Sequence, residues 1–452
     1  MPFKVVRNAI SLTGVALATL GAVLFLTVFL ADLFGLHTNP YVGILFFLVL
    51  PGIFLFGLAL IPVGAWLDRR RQASGRSAAH WPRFDLNDPV QRRGFLIFAA
   101  MTMANIVIVS LAAYRGIEYM DSVQFCGQVC HTVMKPEYTA HQDGPHSRVT
   151  CVQCHIGSGA SWFAKSKISG TRQILAVTFH TYSMPIPSPV PNLRPARDTC
   201  EQCHWPEKFH GDKIRKVYEY AEDEKNTESV TTLQVHVGGG SERLGLAQGI
   251  HWHMNVANEV EYIATDDKRQ TIPWVRIKDR NGNVTEFVAD GTKPEDLAKG
   301  ERRRMDCMDC HNRPSHPMAA TPERAINELM ARGDIPKALP FVRREAVKAL
   351  KATYPTQEAA DQGISRAMRE FYRTGYNAEY MNARQDVERA VRATVGVYKR
   401  TVFPEMNVTF GTYANNIGHM DFPGCFRCHD DNHKSKDGKK ISQDCETCHS
   451  IQ

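Results

Sequence analysis

Three long stretches of this 452-residue chain contain no charged side chain: 24 residues from Asn8 to Ala31, 35 from Leu33 to Leu67 and 21 from Gly94 to Tyr114. A soluble core helix rarely runs that far without a charge, so a wholly water-soluble protein is excluded. A charge excess is equally absent from most of the chain. Residues 1–120 hold ten basic and five acidic side chains, and the remaining 332 residues hold 44 against 42, so +5 of the net +7 arises in the first part. That balance excludes a basic nucleic-acid-binding face. Cysteine is scarce, under three per cent of the chain, which excludes a small disulfide scaffold. One further stretch, Ile156 to Arg197, has no acidic residue while carrying Lys165, Lys167, Arg172, Arg194 and Arg197.

The three uncharged runs are each long enough to cross a hydrocarbon core of about 30 Å as helix. Lys4 and Arg7 precede the first run as in a signal peptide, but the run is too long for a signal core and a second span follows Leu36–Pro40. It reads as a retained helix. Between spans two and three lie Arg69, Arg70, Arg71, Arg76, Arg83, Arg92 and Arg93, whereas the loop between spans one and two has no Lys or Arg. The positive-inside rule then places the N-terminus in the cytoplasm and everything after about Tyr114 outside, in a bacterial cell the periplasm beyond the inner membrane.

All 12 cysteines fall into six pairs, each followed directly by histidine. They are Cys126-Gly-Gln-Val-Cys130-His131, Cys151-Val-Gln-Cys154-His155, Cys200-Glu-Gln-Cys203-His204, Cys307-Met-Asp-Cys310-His311, Cys425-Phe-Arg-Cys428-His429 and Cys445-Glu-Thr-Cys448-His449. This order is the attachment signature of c-type haem: two thiols add to the porphyrin vinyl groups, and the adjacent imidazole reaches the iron. Zinc ribbons have no reason to place His after every second Cys, and a redox dithiol would occur once. Six covalent haem c groups are therefore expected. The first motif is one residue wider than the rest.

Of 18 histidines, six are the motif ligands. His37 lies in the outer hairpin and His80 in the arginine loop. Ten more accompany the motifs: His141, His146, His180, His210, His236, His251, His253, His316, His419 and His433. Five of these stand close to a motif, His146, His210, His316, His419 and His433, and are the expected distal ligands. His251 and His253 share a strand-like Ile-His-Trp-His-Met and would point the same way if extended, toward one cofactor. Iron saturated by two imidazoles favours electron transfer over substrate activation.

The first-cysteine intervals, 25, 49, 107, 118 and 20 residues, show no fixed repeat. The expected organisation is a three-helix membrane anchor over residues 1–120, a region with motifs one to three over 121–212, a β-rich insertion over 213–300, and a helical region with motifs four to six over 301–452. Ala160 to Tyr182 reads as helix and the Pro-rich Ser183–Pro191 as extended chain. Within the insertion, Trp274–Lys278 and Val284–Val288 form a hairpin pattern around Arg280-Asn-Gly-Asn283. Helices are expected at about 322–332, with Thr321 as N-cap and Pro322 at N1, then 341–352, 357–375 and 385–402. Their Met and Tyr residues read as packing. The lysine-rich link after Asn432 reads as a solvated loop, with docking of an acidic cytochrome as the alternative.

The stretch Phe125 to about Tyr182 resembles the NapC/NirT family of membrane-anchored multihaem quinol dehydrogenases. The resemblance rests on the first motif with Met134 just after it, His146 before the second motif, and the Lys165/Lys167 segment beyond. It implies Met134 as an iron ligand at the first haem, His146 as a distal ligand, and Lys165 or Lys167 at a quinol site. His311-Asn-Arg-Pro-Ser-His316 and Tyr413-Ala-Asn-Asn-Ile-Gly-His419 are similar to larger inner-membrane cytochromes related to the family. Simple members have one span and four haems, whereas this chain has three spans and six motifs. The implied activity is quinol oxidation, drawing on the membrane quinone pool and delivering to periplasmic c-type cytochromes, with self-association left open. Two alternatives stand beside it: an electron-transfer subunit whose partner handles quinone, and a terminal oxyanion reductase, which would need an iron with an open position.

Overall fold

The computed structural model describes residues 9–33, 50–73, 85–129, 131–157, 160–190, 193–238, 249–254, 258–279 and 281–452. It divides into two units, Met1–Val129 and Cys130–Gln452. The division falls inside the first motif, beyond the sequence boundary expected at residue 120. His37, His80, the Leu36–Pro40 loop, Arg76, Arg83, Cys130 and Arg280 lie outside the described residues.

The first unit holds three helices long and apolar enough to cross a membrane: α1 (Ala9–Leu33), α2 (Leu50–Ala73) and α3 (Pro89–Met120). α1 and α2 touch through small residues. A Cβ on Gly14 would lie 2.7 Å from the Gly57 carbonyl oxygen, and one on Gly57 would lie 2.6 Å from the Ala18 nitrogen. Without a hydrophobic drive between helices in lipid, such close backbone approach is what holds a pair together. Ser11 Oγ adds a hydrogen bond to the Ile61 carbonyl at 3.1 Å. α3 starts where Asp88 caps Val90 N–H and Pro89 takes the first helical position, and it buries no residue. Arg69, Arg70 and Arg71 end α2, and Arg92 and Arg93 begin α3.

In the second unit, short helices α4 (His131–Gln142), α5 (Cys151–His155) and α7 (Ala196–Cys200) alternate with loops, and α6 (Ala160–Thr178) is longer. Two sheets follow. β1 (Asp212–Tyr220) pairs with β2 (Glu228–His236), and β3 (Glu259–Ala264), β4 (Trp274–Lys278) and β5 (Val284–Ala289) form an antiparallel meander. The hairpin pairs Trp274 with Val288 and Lys278 with Val284, as the Asn-Gly spacing predicts. Gly282 supplies the left-handed turn residue (φ +82°). After α8 (Pro294–Lys299), β6 (Glu301–Arg304) returns to pair with β3.

Neither sheet closes within the insertion. β7 (His433–Lys434) adds to β5 and β8 (His449–Ile451) adds to β2, so strands that follow motif five and end motif six complete sheets begun before residue 290. Between them, α9 (Cys307–Cys310) is followed by α10 (Pro322–Arg332), α11 (Val342–Lys351), α12 (Gln357–Gly375), α13 (Asn377–Asn382) and α14 (Arg384–Thr401). Thr321 Oγ1 accepts from Arg324 N–H, and Gly333 ends α10 in the left-handed region. The apolar faces of these helices bury Ile326, Met330, Val342, Ala346, Ile364, Met368, Tyr372 and Val387 almost completely. Met330, Met368 and Tyr372 are packing, as their spacing predicts.

Candidate functional site

Each motif forms from its own spacing. Residues i and i+3 of a helical turn fall on one side, so Cys-x-x-Cys in a single turn directs both sulfurs to one face and sets histidine next to them. In motifs three, four and five the histidine N–H bonds the first cysteine's carbonyl at 2.8, 2.8 and 3.0 Å. In the wider first motif, Phe125–Val129 is a π-helical turn, whose longer hydrogen-bonded ring takes up the additional residue.

The motifs of the second unit follow one another in space as in sequence. Cys154 lies within electrostatic reach of Cys203, and the Cys200 and Cys307 side chains are in hydrogen-bonding contact. Cys310 neighbours Cys425 and Cys428, and Cys425 neighbours Cys448. A continuous cavity of about 2350 Å³ runs beside motifs two to six. That is more than twice the volume of the larger single-ligand sites, about 1,000 Å³.

Across this space, five motif histidines each face a histidine from elsewhere in the chain. His155 faces His316 with ring centres 6.3 Å apart, and His204 faces His146 at 6.1 Å. His311 faces His251 at 6.3 Å, His429 faces His253 at 5.9 Å, and His449 faces His419 at 6.1 Å. Two imidazoles on opposite sides of one metal, each with a bond of roughly 2 Å and about 1 Å more to its ring centre, stand roughly 6 Å apart. The residues therefore fit haem iron between them. Hydrogen bonding orients the rings the same way. Nδ1 of His146, His251, His253, His316 and His429 meets a backbone carbonyl, of Pro314, Val237, Ile250, Glu137 and Ser442, at 2.9–3.1 Å. This fixes the tautomer with Nε2 as the lone-pair nitrogen. Burial pushes His155, His253, His311 and His316 below the usual imidazole range, so they are neutral, the form that binds a metal. Among the described residues, no group of three or more His, Cys, Asp or Glu side chains is placed to hold a free metal ion, as a zinc site would need.

Of the residues expected as distal ligands, His146, His316 and His419 thus each face a motif imidazole, and His210 and His433 do not among the described residues. His433 is fully buried with both ring nitrogens engaged, Nδ1 2.8 Å from Asp430 and Nε2 2.7 Å from the Ile272 carbonyl. It ties β7 into the second sheet. His210 is exposed and its Nδ1 meets the Lys208 carbonyl at 2.7 Å; among the described residues it faces no motif imidazole. His251 and His253 face the other two motif imidazoles, His311 and His429. Ile250–Met254 is a 3₁₀ turn rather than a strand. At three residues per turn, side chains two apart diverge by about 120°, so each histidine reaches a different motif. His141 also comes within 6.2 Å of His316, but its Nε2 meets the Val149 carbonyl at 2.9 Å. Nothing is described of the His131 side chain.

Three further groups carry no signal in the sequence. Glu137 on α4 accepts two hydrogen bonds from Arg313, at 3.0 and 3.2 Å, and its Oε2 lies 3.3 Å from His316 Nδ1. Arg313 lies over the Tyr413 ring at 4.1 Å and bonds the His316 carbonyl. Arg427, inside motif five, bonds the Asp309 carbonyl of motif four at 2.6 Å, which locks the two motifs together. Arg194, packed against the Gly157 backbone next to motif two, keeps buried Nε and Nη1 atoms without a hydrogen-bond partner among the described residues. An orphaned guanidinium suits a carboxylate, such as a haem propionate. Met134 is half-buried on α4. Lys165 is exposed on α6 with Nζ 4.5 Å from the Trp162 ring, and Lys167 is half-buried on the same helix.

The family model for the N-terminal region of the NapC/NirT cytochrome c family matches residues 89–185. The chain is 42% identical over 449 residues to the cytochrome c-type protein ImcH of Geobacter sulfurreducens, covering 98% of this chain and 88% of that protein. It is 25% identical over 118 residues to the cytochrome c-type protein NrfH of Wolinella succinogenes, covering 24% of this chain and 66% of that protein. No solved structure matches it.

Proposed function

The chain belongs to the NapC/NirT cytochrome c family, a membrane-anchored electron-transfer cytochrome, and from that premise we propose that it oxidises menaquinol and passes the electrons along six haem c groups to periplasmic cytochromes. The observation that carries the electron-transfer part is the set of five facing imidazole pairs at 5.9–6.3 Å. The cysteine pairs would hold six haems, with His155 and His316, His204 and His146, His311 and His251, His429 and His253, and His449 and His419 available to the irons of motifs two to six, and His131 and Met134 to that of the first. Haem iron supplies one-electron chemistry, and two imidazoles per iron favour transfer over substrate binding. The same pairing argues against the terminal-reductase alternative.

The protein's own groups hold this arrangement. Glu137 and Arg313 orient His316, Arg427 fixes motif five on motif four, and Arg194 is available to a propionate. Motifs two to six are neighbours in sequence order, which supports a linear route from the membrane side to the C-terminus. At the quinol end, Lys165 or Lys167 donates a hydrogen bond to a quinol oxygen. Quinol becomes quinone as two protons leave for the outer aqueous phase and two electrons leave singly. The arginine loop keeps the N-terminus in the cytoplasm and the motifs in the periplasm, with the spans in the inner membrane.

The test uses full-length protein in vesicles with menaquinol. The reduced α-band grows rapidly in the wild type and slowly in Met134→Ala and Lys165→Ala. Unchanged rates in both variants would remove these residues from the quinol site, and no reduction in the wild type would remove quinol oxidation itself.

A further inference from the structure

We propose that the outer face of α6 lies on the membrane surface and contacts anionic lipid headgroups. Val177 on α6 packs against the buried cluster of Val133, Phe403, Met406 and Val408. At 3.6 residues per turn, Ser166 and Gly170 share that inner side, and Ile168 and Leu175 fall opposite. Phe179 extends the same stripe, because its N–H still bonds the Leu175 carbonyl at 2.9 Å. These three outward residues are 74%, 53% and 70% exposed.

A helix resting on a globular core ordinarily turns its polar side outward, and this one turns out large apolar side chains. The charge beside the stripe identifies what covers it. Lys165 and Arg172 border it on one side, both exposed, and no carboxylate occurs anywhere from Ile156 to Arg197. An apolar stripe bordered by cations on one side and threonines on the other, with no carboxylate in its segment and a lysine lying on a tryptophan ring, is the pattern of a helix lying in the plane of an anionic lipid surface. Lipid is close at hand, since the same chain has three helices fit to cross a membrane. Large aliphatic and aromatic groups enter the acyl boundary while the cations remain among phosphates. This contact rests on exposure and charge alone, and it holds whether or not quinol is the electron donor.

The test places a nitroxide on Ile168→Cys, Leu175→Cys or Phe179→Cys in full-length haem-loaded protein, with Met381→Cys, 68% exposed on α13, as control. The variants are kept only at full haem content and are reconstituted in phosphatidylglycerol-containing nanodiscs. Power saturation with oxygen and with a water-soluble nickel chelate reads each site's surroundings. The three α6 sites are expected to be open to oxygen and shielded from nickel, the reverse of Met381, with shielding reduced when phosphatidylcholine replaces phosphatidylglycerol. Nickel access equal to that of Met381 would mean a water-facing helix, and shielding from both reagents would mean protein covers the face. Either overturns the proposal, and shielding indifferent to lipid charge overturns its anionic part. Should the cysteine variants lose haem, a photoreactive phenylalanine at Ile168 gives the same reading by cross-linking to lipid or to protein.

Discussion

His251 and His253 stand one residue apart and face different motif histidines, so the side chain of each is expected to control one iron. Replacing His253 by alanine should convert the iron at motif five from low spin to high spin, visible by EPR, while haem content and the other low-spin signals persist. His433→Ala, in a fully buried position, should weaken the second sheet and leave every spin state unchanged. A new high-spin signal in His433→Ala, or none in His253→Ala, would reverse these two roles. The sequence could not separate the two residues. Closeness to a motif is a one-dimensional measure, and His433 is close to two motifs yet occupied by Asp430 and Ile272. His251 is far from every motif and reaches His311 only because the 3₁₀ turn is held by the Val237 and Ile250 carbonyls.

Among the elements, those with a long apolar period were legible. α10, α11, α12 and α14 repeat buried residues at three- and four-residue spacing over ten or more positions, and they lie within a residue or two of where the pattern puts them. β7 and β8, two and three residues long, have no period to read, and their partners are more than a hundred residues away. The same sheet that takes in β7 carries a pH-sensitive ladder. The Arg302 guanidinium, aided by Arg276, holds the Glu261 carboxyl below the ordinary carboxylate range, against the opposing effect of burial. Its stabilising contribution is therefore complete above the unfolded-chain value of about 4.3 and is lost as pH falls through the lower folded value. Hydrogen exchange over β3, β4 and β6 should show Glu261→Gln less protected than wild type at neutral pH, with the difference closing below about pH 4. A gap of constant size down to that range would exclude the ion pairs as its origin.

At the scale of the whole molecule, the twelve cysteines and six following histidines predict six haems per chain, to be measured as a pyridine haemochrome against protein mass. A ratio below five would remove the hexahaem reading, since it would leave more than one motif unused. Loading at those sites would also make the chain beyond residue 120 acidic. Its sequence is nearly balanced, 44 basic against 42 acidic beyond residue 120, and each haem adds two propionates. The sequence pI of about 8.7 therefore describes the arginine loop of the anchor more than the surface offered to a partner.

The completion of both sheets by β7 and β8 near the C-terminus sets an order of biogenesis. β2 emerges from the ribosome before its partner β8, roughly ten to forty seconds earlier at about 5–20 residues per second. During that interval β2 and β5 present unpaired edges, open to wrong pairing or proteolysis. Pairing of β8, which begins at His449 of the final motif, is thus the step that covers the open edge of β2. A truncation there would cost the nascent protein its protection as well as one cofactor.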